Sequence, residues 1–333
     1  MLCQQIVEYL ELNQLLSNRQ FGFRKNRSTV DALLYAQHSV FEALKQRNKV
    51  AFITLDFAKA FDTVSHELLI MKLEQHFGFK ADSVSLVKSY LSNRQQYVVS
   101  AGKCSKLVNI KVGVPQGSLF GPLLFIMFIN DLLELSVFSK IVSYADDTTL
   151  IVSSKSLDQL ELQANSDLAL INSYIWENSL AINATKCSYL LFSSNSDINI
   201  CLNNVKLQRV KSCKILGIIL DDLFKFELHI DHILEKVQFY RFMFYKIRSF
   251  LSPKFLLLLY KFLVLPHFTY SCPIWSFTYS AHLEKLEVCQ NSFARIILKS
   301  QATKSATSNK QLLELSCIKL EQKFYCMKEI YRL

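Results

Sequence analysis

Hydrophobic residues recur along this chain with two periods, and the switches between them delimit its elements. From Ser28 to Gln46 the positions Val30, Leu33, Leu34, Gln37, Phe41 and Leu44 fall three and four apart, predicting an amphipathic helix capped by Ser28 or Thr29. Gln4 to Leu16 repeats the spacing with Ile6, Tyr9, Leu10, Leu12 and Leu15. Val50 to Leu55 reads as a short buried strand ending at Asp56. Helices follow from a Ser65 cap to His76 and from Ser83 to Leu91, then a β-ribbon from Gln96 to Val112 and a long, mostly buried helix from Ser118 to Leu133. Ile141-Val142-Ser143 and Thr148 to Val152 flank Tyr144-Ala145-Asp146-Asp147 as the arms of a hairpin. A helix from Leu157 to Asn178 precedes strands at Leu180–Ile182, Ser188–Phe192, Ile198–Leu202 and Ile215–Leu220, and the pattern after Asp222 is almost entirely helical. This order predicts an α+β fold: an antiparallel sheet backed by helices on one face, then a separate helical subdomain.

Composition narrows the partners. A chain of 333 residues, 50% hydrophobic and 20% charged, suits a large core with two or three subdomains. Its 38 Lys and Arg against 28 Asp and Glu give a net charge of +10, which favours a polyanion or an acidic membrane surface. The apolar runs Phe255–Leu259 and Leu123–Ile129 fall far short of the roughly 20 residues that span a bilayer, and no secretion signal is recognised. Nine cysteines at irregular spacing, without Cys-x-x-Cys, read as reduced thiols, and nothing completes a tetrahedral zinc set around His229 and His232.

The charges that matter are acidic. Two adjacent carboxylates among apolar strands repel each other, and a divalent cation is the usual relief. Asp56 at a strand end would give, with Asp146 and Asp147, three carboxylates from two neighbouring strands, a hard oxygen set suited to Mg²⁺. On local evidence alone Asp56 reads equally well as a strand terminator and Asp146-Asp147 as a solvated turn. Gly113-Val114-Pro115-Gln116-Gly117-Ser118 leads into a helix, with Gly117 removing a side chain where something passes close to backbone. Alone, it is also an ordinary turn. Phe21-Gly22-Phe23-Arg24-Lys25-Asn26-Arg27 sets three cations around a glycine, a phosphate-contacting loop or a solvated basic turn.

Taken in order, FGFRKNRST, LDFAKAFDTV, GVPQGSLFGPLLFIMFINDL, YADDTTL, NATKCSYLLF, KILGIILD, LVLPHFTYSCPIWS and LEVCQNSFARIIL resemble the reverse transcriptases of non-LTR (LINE-type) retrotransposons, particularly the jockey- and CR1-like branches, over nearly the whole chain. The resemblance implies a right-hand polymerase with partial fingers (1–48), an antiparallel-sheet palm (49–222) carrying a fingers insertion at about 80–112, and a helical thumb with a C-terminal extension (223–333). It implies RNA-directed DNA polymerase activity: two-metal transfer of nucleotides from dNTPs to a primer 3′-hydroxyl on an RNA template, as in target-primed retrotransposition. Two Mg²⁺ ions, with Mn²⁺ as an alternative, would be held by Asp56, Asp146 and Asp147. Lys186 stands where the family often carries a lysine that protonates pyrophosphate. Phe57, Phe61, Gln116, Gly117 and Arg24 match nucleotide- or template-contacting positions, Phe61 being the ring that blocks a 2′-hydroxyl and selects dNTP over rNTP. Leu216-Gly217 resembles the primer-grip turn.

RNA template, primer or target DNA and dNTPs are the implied partners, with no membrane, and the implied location is intracellular, nuclear at the site of action and cytoplasmic. Phe120 stands where the family usually has Leu. The chain starts just before the basic loop, with no upstream endonuclease and no downstream zinc knuckle, so the expectation is a fragment of a longer element. A catalytically silent nucleic-acid-binding remnant and a multi-aspartate nuclease are the competing readings; the nuclease explains neither the PQG turn nor Phe61.

Overall fold

A computed structural model describes residues 2–194, 196–299, 322 and 326. The chain divides into two compact units, Met1–Val210 and Lys211–Leu333.

The first unit opens with α1 (Leu2–Leu12) and α2 (Thr29–Lys45). Ser28 caps α2 through a reciprocal box with Asp31, each side chain meeting the other's backbone N–H. Next come β1 (Lys49–Leu55), a 3₁₀ turn at Ala60–Asp62, α3 (His66–Gln75) capped by Ser65 as expected, and α4 (Ala81–Leu91). The ribbon is two nested pairs of two-residue strands, β2 (Gln95–Gln96) with β5 (Val108–Asn109) around β3 (Val99–Ser100) with β4 (Lys103–Cys104). The long helix expected over 118–133 is shorter: α5 spans Phe120–Phe128 and gives way to a 3₁₀ segment at Asn130–Glu134. β6 (Lys140–Tyr144), β7 (Asp147–Ser154), α6 (Leu157–Glu177) and β8 (Ser188–Phe192) follow. β9 (Cys201–Leu202), β10 (Val205–Lys206) and β11 (Gln208–Arg209) close the unit. The strand expected at Leu180–Ile182 is reduced to a single bridge, Ile182 to Phe57, and that at Ile198–Leu202 to its last two residues.

The main sheet runs β11-β8-β1-β7-β6, antiparallel except for the parallel edge pair β11–β8. Its register puts Ile53 opposite Leu150 and Tyr189, and these face a core shared with Leu124 and Phe128 of α5 and Leu168 and Ile171 of α6. The alternate residues Phe52, Ile151 and Leu190 are buried as well, and α2 packs against the sheet with Leu33, Ala36 and Val40, which lie outside that core. The sheet is therefore covered on both faces, correcting the one-faced expectation. A strand buried on both sides is nearly continuously apolar, as Val50–Leu55 is apart from Thr54, and such a run cannot reveal how many layers cover it.

The second unit starts with a hairpin, β12 (Ser212–Ile215) and β13 (Ile218–Asp221), whose turn Leu216-Gly217 takes left-handed φ values of 45° and 85°. One strand over Ile215–Leu220 was expected, with the division after Asp222. The hairpin instead joins the helices, because Tyr270 Oη donates to Leu216 O at 2.8 Å and Ile219 N–H donates to His229 Nδ1 at 3.4 Å. The helices are α7 (Glu227–Ile247), α8 (Pro253–Leu263), α9 (Leu265–Thr269), α10 (Cys272–Trp275) and α11 (Ser280–Leu298). The eight described cysteines are free thiols; Cys317 lies outside the described residues.

His229 is buried edge-on to Trp275, ring centroids 5.5 Å apart. Burial, with the charges of His232 and Lys236, lowers its pKa to about 4. An imidazole kept neutral in the fold but free to protonate near 6.5 when unfolded contributes stability that is complete above pH 6.5 and lost as pH falls toward 4, on the order of 3 kcal/mol. Thermal unfolding scans should show this acid loss for the wild type, and His229→Phe should flatten it between pH 6.5 and 4.

Candidate active site

The last antiparallel pair between β1 and β7 is Leu55 with Thr148, so Asp56 leaves its strand beside Asp147. Asp56 is tied from below: its N–H donates to Cys187 Sγ at 3.4 Å and its carbonyl accepts from Asn183 N–H at 2.8 Å, leaving the carboxylate half-exposed. Between β6 and β7 the chain reverses through Ala145-Asp146, with Tyr144 paired to Asp147 and Ala145 at a left-handed φ of 58°. Asp146 is half-buried. Asp147 has the most open surface of the three carboxylates, yet protein crowds its inner side, and its pKa is raised by that burial first and then by the charges of Asp146 and Asp56. Asp147 thus senses the charges of both other carboxylates. Among the described residues no three His, Cys, Asp or Glu side chains already converge as a closed metal cage. Hard oxygen donors on neighbouring strand ends still fit Mg²⁺, which takes one or two carboxylates and completes its shell with water and substrate phosphates. Lys186 Nζ stands 3.9 Å from Asp56 Oδ2, both side chains well exposed.

The glycine-rich turn is built onto the segment after Asp56. Gly113 N–H donates to Val64 O at 2.7 Å, Val114 N–H to Phe61 O at 2.8 Å, and Gln116 Nε2 to Asp62 Oδ1 at 2.9 Å. Gly117 is exposed with φ +77° and open space where a Cβ would stand, so backbone there is accessible from outside. Gln116 also lines a groove of about 930 Å³ with Lys59, Arg94, Asn109 and Lys111. Phe61 is half-buried, its ring 4.4 Å from that of Phe125 and 6.3 Å from that of Phe23.

Two expected nucleotide contacts are otherwise engaged. Phe57 is buried in the core with 8% exposure, so only its backbone, bridged to Ile182, borders the site. Arg24 forms a two-pronged ion pair with Glu11 (Nε–Oε1 2.9 Å, Nη2–Oε2 2.6 Å), and its Nη1 donates to Ser17 O at 2.6 Å. The Arg24 hydrogen bonds to the Glu11 carboxylate are the main reason the Glu11 pKa is lowered. With its side chain 5% exposed, the guanidinium braces the basic loop instead of meeting a triphosphate. Gln20, which drew no attention in the sequence, is buried against the acidic turn. Its only local signal was an amide one residue before the aromatic-glycine pair.

A family model described as "Reverse transcriptase (RNA-dependent DNA polymerase)" matches residues 1–220. The chain belongs to this family. Among curated relatives of this reverse transcriptase chain are the probable RNA-directed DNA polymerase from transposon X-element of Drosophila melanogaster and the RNA-directed DNA polymerase from mobile element jockey of the same fly. The first is 27% identical and covers 88% of this chain and 33% of its own length. The second is 28% identical, with 88% and 34%. The chain therefore spans about a third of the length of the curated relatives it matches. Among solved structures, apo telomerase from Candida tropicalis superposes with a TM-score of 0.50 at 11% identity, covering 93% of this chain and 50% of that one. The fold is the right-hand polymerase fold.

Proposed function

We propose that this reverse transcriptase chain is the polymerase core of a non-LTR retrotransposon enzyme, adding dNTPs to a primer 3′-end on an RNA template. The observation that carries the reading is the register that sets Asp56 beside Asp147 across β1 and β7, with Asp146 in the adjoining turn. Two bound Mg²⁺ ions, or Mn²⁺, would supply the charge that activates a 3′-hydroxyl and stabilises leaving pyrophosphate. Asp56 and Asp146 are the principal ligands in this reading, and Asp147, whose pKa is raised by burial first and then by its two acidic neighbours, is their companion. Lys186 is placed to lend a proton or a positive charge beside Asp56. Gln116 and Gly117 offer amide and open backbone to nucleotide or template.

Phe61 would form the wall beneath the sugar, held by Phe125. An apolar wall discriminates a hydroxyl by about 10²-fold at most. Phe61→Ala is expected to raise rNTP incorporation toward that limit, and unchanged selectivity in single-nucleotide addition assays would remove the role.

The second unit supports a nucleic-acid partner. From residue 236 to 283 it carries six Lys or Arg and no Asp or Glu. Phe239, Phe250 and Phe262 are exposed there, and the Arg248 guanidinium lies 4.2 Å over the Tyr245 ring. Cations interleaved with open rings suit backbone phosphates and stacked bases. Among the described residues no helix is long and apolar enough to cross a membrane. The reading places action on chromosomal DNA in the nucleus, after synthesis in the cytoplasm.

Primer extension on a homopolymeric RNA template with Mg²⁺ tests the function. Incorporation by the wild type and its loss in Asp146→Ala is the expected result. RNA binding without incorporation would leave a nucleic-acid-binding remnant.

A further inference from the structure

The turn that carries Asp146 is held from outside its own hairpin. Gln20 is fully buried (0% exposed), and its side-chain amide makes three hydrogen bonds. Oε1 accepts two backbone N–H groups, from Gly22 at 2.8 Å and from Ala145 at 2.9 Å. Nε2 donates to Ser143 Oγ at 3.2 Å. The backbone reinforces the join: Ser143 N–H donates to Arg19 O at 2.9 Å and Phe21 N–H to Ser143 O at 2.8 Å, a one-residue parallel bridge beside β6. Ser143 Oγ in turn donates to Ala145 O at 2.7 Å and accepts from Thr148 Oγ1 at 3.2 Å.

Both peptide groups of Ala145 are thus held by buried side chains, and Ala145 occupies a left-handed φ that an alanine adopts only under constraint. Gly22 completes the fit, since a Cβ there would collide with the Ala145 backbone nitrogen. Asp146 and Asp147 are the next two residues, and each carboxylate repels the other and Asp56. A turn under that repulsion, with a strained residue at its start, needs an external restraint to keep its carboxylates in place. A neutral amide suits the place: it accepts twice and donates once without adding a fourth negative charge, which glutamate would do.

We propose that Gln20 is a positioning residue for the catalytic carboxylates, a clamp through which the basic loop sets the direction of Asp146 and Asp147. The role rests on the polymerase reading for its consequence, though not for its geometry. It also gives that loop a purpose besides phosphate contact: it is the mount of the acidic turn.

The test uses the full chain with Gln20→Leu and, as an independent route to the same disturbance, Gly22→Ala. Three readouts are compared with the wild type: amide hydrogen exchange, Mn²⁺ binding followed by electron paramagnetic resonance, and primer extension. Exchange in the 144–148 segment should quicken about tenfold or more while α3 and α6 keep their protection. The Mn²⁺ dissociation constant should rise, and kcat fall, by about 10–100-fold, the range for groups that orient metal ligands, with KM for dNTP little changed. Unchanged exchange at the hairpin overturns the clamp. So does loosening of the whole unit, which marks a general packing role, or a loosened hairpin with wild-type Mn²⁺ affinity. If the wild type incorporates nothing, the polymerase reading fails, and the exchange and Mn²⁺ measurements still decide the clamp.

Discussion

Asp56→Asn is expected to lower nucleotide incorporation by about 10³-fold or more while leaving the protein at least as stable as the wild type. The two halves of this result share one cause. Asparagine keeps the size of the side chain, and the backbone ties of residue 56 to Cys187 and Asn183 do not involve the carboxylate. What is removed is a negative charge. Without a cation that charge costs energy, because Asp56 and Asp146 both push the Asp147 carboxyl upward. Removing it should lower the Asp147 pKa, measurable by NMR titration of the side-chain carboxyl. The stability this carboxyl forgoes runs in a definite direction: a raised folded pKa favours the fold below the unfolded value near 3.8 and is lost as pH rises through the folded value. Above that range the variant should therefore match or exceed the wild type in melting temperature. With a cation the same charge is a ligand, and its loss removes several kcal/mol of transition-state stabilisation, at 1.36 kcal/mol per factor of ten. Incorporation within tenfold of the wild type would show that Asp56 is not a metal ligand.

The second large effect lies in the core. Lys72 is 4% exposed, and its ammonium donates to Phe128 O at 2.8 Å, Asp131 Oδ1 at 2.8 Å and Tyr174 Oη at 3.1 Å, with the Phe128 ring 4.5 Å away. Tyr174 Oη donates to the same Asp131 oxygen at 2.6 Å. Burial lowers the Lys72 pKa even against the opposing pull of Asp131. Asp131→Ala would leave a buried cation with only a carbonyl, the Tyr174 hydroxyl and rings for partners, at a cost of about 3–5 kcal/mol. For a unit of this size that lowers the melting temperature by roughly 10 °C. Lys72→Met should cost far less, because an apolar chain fills the space and Asp131 keeps Tyr174 and partial access to solvent. Denaturant unfolding of both variants checks the asymmetry; equal losses would mean that the cage acts as packing alone.

The sequence by itself determined the features that depend on neighbours along the chain. A cap at Ser28 or Thr29, which the structure resolves to Ser28, and Ser65 before α3 are readable because a helix N-terminus is satisfied within three residues. The apolar run ending at Asp56 and the Asp146-Asp147 pair between β-prone arms are local as well, so the candidate carboxylates were legible before any fold was known. Tertiary structure decided which of the nearby polar groups remain available to a ligand. Arg24 looked free in its basic loop, but Glu11 had taken it. Phe57 followed a metal-site aspartate in sequence and turned into the core. The second covered face of the sheet, and the allegiance of the Ser212–Asp221 hairpin, depended on packing that no period records. Gln20 is the clearest case: its amide is complete only when the chain returns 123 residues later to bring Ser143 against it. A hydrogen bond needs its partner within about 3 Å in space, and periodicity reports only distance along the chain.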